Sequence, residues 1–207
     1  MQAMRTKTVT RFEAVRDQIS SAIRAFFLWD DFVSAVTLAG AAERVLSDLQ
    51  PQDGIIGVDA YSIRSLVNLY IREEHHKDAA KKFRQDYDFF RHADRKASQD
   101  YELKESSVTW LIFFTILSFE FLKQKKTMEM RAFAWWFMAT NSHCLKANAP
   151  DLPQIMKLKE QISERSKREY FLAFIAASKG RIPKDLGFIL SEDVEPHSAM
   201  IVPPSSF

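Results

Sequence analysis

The chain has 207 residues, 46% of them hydrophobic and 13% aromatic, with 29 Lys or Arg against 27 Asp or Glu and a formal net charge of +2. So much apolar surface excludes an intrinsically disordered chain, and so even a balance of charge excludes a whole-protein field that draws it to nucleic acid or an anionic membrane. One cysteine, Cys144, excludes an internal disulfide framework and the multi-cysteine zinc ribbons, and fits a reducing compartment, the cytoplasm.

Only 5 Gly and 7 Pro punctuate the chain, too few for the many turns of an all-β fold, so the expectation is an all-α domain. A helical bundle of about six helices is predicted over residues 1–180, with an irregular C-terminal tail over 181–207. Met1 to Gln18 carries charges throughout and has no apolar run, which predicts neither a signal peptide nor an anchor.

In chain order, Thr10 with Glu13 forms a capping-box pattern, and Phe12, Val15, Ile19, Ile23 and Phe26 then recur at helical spacing to about Trp29. Asp30 and Asp31 offer a cap for a second helix, Phe32 to Leu49. Its middle, Ala39-Gly40-Ala41-Ala42, is small enough to let another backbone come close. Asp59 is placed to cap a third helix through Ile71, and the charged stretch Arg72 to Asp78 separates it from a fourth. That fourth helix has Phe83, Tyr87 and Phe90 on one side and Lys81, Arg84, Asp88, Arg91 and Arg95 on the other; a polar loop follows from Ala93 to Glu105.

From Ser106 to Phe119 no residue is charged, and Trp110, Leu111, Ile112, Phe113, Phe114, Ile116 and Leu117 surround the helix axis. This is the expected central helix, since a run of this length falls short of the roughly 20 residues that a bilayer crossing requires. Thr127 to Lys146 is predicted to continue as one helix. Asp151 with Gln154 is predicted to cap a last one reaching Ser178, with Pro153 in its first turn.

Residues able to carry chemistry are sparse. His75 and His76 are adjacent, as are His143 and Cys144, and neighbours on a helix point about 100° apart, so neither pair suits one metal ion. No metal and no cofactor is expected. Cys144 reads as a core residue. Glu43 follows the small-residue segment and is either a partly buried carboxylate with a polar partner or, with Arg44, the start of an exposed face. The most distinctive stretch is Lys77 to Lys96, where Lys77, Lys81, Lys82, Arg84, Arg91, Arg95 and Lys96 stand against Asp78, Asp86, Asp88 and Asp94. Its basic face could contact phosphates, with His92 beside Arg91 as a general acid or base; the plainer alternative is a solvated helix laced by Asp and Lys pairs.

Two segments, Asp31-Phe-Val-Ser-Ala-Val-Thr-Leu-Ala-Gly-Ala-Ala-Glu43 and Asp88-Phe-Phe-Arg-His-Ala-Asp94, resemble bacterial helical proteins of the HEPN-like superfamily, named for higher-eukaryote and prokaryote nucleotide-binding domains. The resemblance implies an α-helical bundle, often a homodimer. In active members it also implies a metal-independent ribonuclease site in which an Arg is followed by four to six residues and then His. His92 matches that histidine, but Tyr87 stands at the Arg position and Asp88 where an Asn is common. Arg84 and Arg91 are the remaining candidates to steady a phosphate. With the motif altered, the expected function is a non-enzymatic module that binds RNA, a nucleotide or a protein partner through Lys81, Arg84, Asp88, Arg91 and Arg95, with Glu43. The alternative is a ribonuclease using His92 with Arg91 or Arg84.

Overall fold

A computed structural model of the chain describes residues 6–49, 73–75, 100–122, 124–145, 147 and 151–178. These form an all-α bundle. The six α-helices among them are α1 (Arg11–Arg24), α2 (Phe32–Leu49), α3 (Glu105–Phe121), α4 (Met128–Thr140), α5 (Leu152–Ile162) and α6 (Lys167–Ser178). The third and fourth predicted helices, most of the loop from Ala93 and the tail 181–207 lie outside the described residues.

The capping box opens α1 as the sequence implies. The Glu13 carboxylate accepts from the Thr10 backbone N–H at 2.8 Å, and the Thr10 hydroxyl accepts from the Glu13 N–H at 3.2 Å. The first helix does not run evenly to Trp29, however. At Ala25 it widens into a single π turn, Ala25–Trp29, closed by Asp30 in the left-handed region at φ 54°. A wider turn narrows the angle between successive side chains, and Phe26 and Phe27 both reach the core although they are neighbours in sequence. Asp tolerates the left-handed conformation better than most residues, so it is suited to end such a turn. The cap of α2 then falls to Asp31, whose carboxylate accepts from the Ser34 N–H at 2.9 Å.

α3 is the axis of the bundle. Every residue from Ser107 to Phe119 is buried, so the helix has no solvated face, which is what an uncharged run predicts. It packs on α2 at the small-residue segment, where Ala39, Gly40 and Ala42 are buried and the Thr115 hydroxyl stands 3.5 Å from the Ala39 carbonyl. No helix among the described residues is long and apolar enough to cross a membrane.

Aromatic rings fill the rest. Phe27 stacks on Phe171 at 4.8 Å and meets Trp136 and Phe133 edge-on, joining the π turn to α4 and α6. Phe113 stacks on Phe137 at 4.2 Å, joining α3 to α4. Tyr170 is fully buried and donates its hydroxyl to the Ala132 carbonyl at 3.0 Å; burial pushes its phenol well above the ordinary range.

Two helices expected to be continuous are broken. The helix expected over 127–146 stops at Thr140, where the Thr140 hydroxyl donates to the Trp136 and Phe137 carbonyls and the Asn141 amide donates to Phe137. Those side chains satisfy the last turn and leave a short 3-10 turn, Ser142–Cys144. The helix expected over 151–178 stops at Ile162 and restarts at Lys167 behind a second capping box. There Glu169 accepts from the Ser166 N–H at 2.9 Å, and Ser166 accepts from the Glu169 N–H at 3.3 Å. Asp151 does precede α5, with Pro153 in the first turn, but it sits at φ 60° and makes no side-chain cap bond, because capping requires an extended backbone.

The two boxes set a pH response. The backbone N–H and hydroxyl of Ser166 hold the Glu169 carboxyl below its ordinary value of 4.5, and those of Thr10 do the same to Glu13. Groups whose folded values are depressed contribute stability above the unfolded value and lose it as pH falls through the folded one. Melting temperature should therefore decline as pH drops below about 4.5, and the decline should be shallower in a Glu13→Gln, Glu169→Gln variant. An identical slope would show that the boxes carry none of it.

Candidate functional site

Of the seven residues nominated from sequence, Lys81, Arg84, Asp88, Arg91, His92 and Arg95 lie outside the described residues. Glu43 is described. It sits half-buried on α2, one turn beyond Ala39, beside the seam where α2 meets α3. Arg44, next to it, is exposed and pairs with Asp48 at 3.3 Å.

Cys144 is 7% exposed and belongs to the core cluster, as expected of a lone cysteine in a Phe-rich chain. His143 beside it is exposed. Among the described residues no group of three or more His, Cys, Asp or Glu is placed to hold a metal ion.

Comparison with protein-family models, with curated proteins and with solved structures gave no match to this chain. The chemistry must therefore be read from its own side chains.

Two cation sites stand out from that reading. Lys126, in the connection from α3 to α4, has a side chain only 4% exposed and pairs with Glu120 in the last turn of α3 at 2.8 Å. A cation is favoured near a helix C-terminus, and here it also neutralises a carboxylate that the fold has taken out of water. The pair clamps the turn between two core helices.

Lys167 is the second. Its ammonium lies 2.5 Å from the Asp30 carboxylate and 3.0 Å from that of Glu105, and it stands over the rings of Phe26 and Phe32 at 4.3 and 4.7 Å. A lysine at the first position of a helix opposes the helix dipole; two carboxylates and two aromatic faces offset that cost. The contacts draw together the π turn, α2, α3 and α6. Sequence reading passed over Lys167, although Ser166-x-x-Glu169 marks a helix start directly beside it.

Beyond Lys167 the surface opens into a cleft of about 480 Å³ bordered by α4, α5 and the first residues of α6. Trp136 and Ile162 give it apolar lining, Lys159 and Arg165 its remaining cations. Lys159 is held by a bond to the Ser142 hydroxyl at 3.1 Å.

Proposed function

We propose that this chain is a helical binding module of HEPN-like type, acting in the cytoplasm as a homodimer, whose basic helix over 81–95 takes RNA, a nucleotide or a protein partner. The observation that carries this reading is the run Lys77 to Lys96, seven basic residues against four acidic with His92 among them, in a chain whose total charge is nearly balanced. Lys81, Arg84, Arg91 and Arg95 recur at helical spacing, which places four cations along one face to meet successive phosphates. Glu43, half-buried on α2, adds a carboxylate in the other segment of the family pattern.

Binding to labelled single-stranded RNA should weaken steeply with salt, because each neutralised phosphate releases counterions. Reversing Arg84, Arg91 and Arg95 to Glu should abolish that binding at low salt with the melting temperature unchanged. Any single reversal should lower the log–log salt slope by about 0.7. No detectable RNA or nucleotide binding at low salt would leave only a protein partner or a structural role for this face.

A second reading is supported by one observation: His92 stands next to Arg91, and Arg84 lies two turns before. In a metal-independent ribonuclease, His92 would move the proton between attacking and leaving oxygens while the guanidinium steadied the charge on the phosphate.

A further inference from the structure

We draw no further inference here: the strongest candidate, the exposed apolar patch of Trp29 and Val33 where the π turn meets α2, carries none, because nothing in the structure shows what covers it.

Discussion

Phe27→Ala is expected to destabilise the protein by about 3–5 kcal/mol, the range for emptying a packed phenylalanine site. Phe27 is 2% exposed, and its ring meets Phe26, Phe133, Trp136, Tyr170 and Phe171. These partners come from α4, α6 and the π turn itself, so no single helix can shift to close the cavity. A chemical denaturation series reads the loss directly, and for a chain of this length it should lower the melting temperature by roughly 10 °C. Phe32→Ala, at a half-buried position whose ring pairs with Phe26 alone among the described aromatics, should cost distinctly less. Equal effects would mean that the π turn is not the junction described here.

Lys126→Met is the second large effect. The substitution keeps the volume of the side chain but removes the ammonium 2.8 Å from the Glu120 carboxylate, whose side chain is 16% exposed, in a site largely shielded from water. Breaking one half of a buried pair costs about 3 kcal/mol or more, most of it the desolvated charge left behind. Adding Glu120→Leu removes that charge, and the double variant should recover most of the loss. The cycle, measured by denaturation of the four proteins, separates the pair from mere packing. A double variant as unstable as the single one would show that the connection needs Lys126 for its shape rather than its charge.

Much of this architecture was legible in the residues, for identifiable reasons. The run Ser106 to Phe119 reads as a buried helix because charge is absent from all its faces, a property that needs no knowledge of neighbours. The starts of α1 and α2 were legible because Thr10, Glu13 and Asp31 act within one turn. What escaped depends on choices between competing local bonds. Apolar residues recur across Thr140 and across Ser163 to Ser166 at spacings a continuous helix also allows, and the breaks come from the side chains of Thr140, Asn141 and Ser166. Ser166-x-x-Glu169 was a readable signal for one of them; the π turn at Ala25 had none.

The site was less legible than the fold. Lys167 gains its meaning from Asp30 and Glu105, far away in sequence and brought to it only by the packing of three helices. Glu43 could be read two ways, as a partly buried carboxylate after a small-residue segment or as the start of an exposed face, and it stands half-buried beside an exposed Arg44. The basic stretch at 81–95 stands out by composition alone, and its departure from the ribonuclease pattern at Tyr87 and Asp88 is what weights the reading towards binding.

One measurement tests that reading most directly: incubation of the purified chain with end-labelled single-stranded RNA in chelator, scoring binding and strand integrity in the same sample. The account predicts RNA that is bound and intact, with His92→Ala indistinguishable from wild type in both. RNA cut by the wild type and spared by His92→Ala would contradict it and establish the ribonuclease instead.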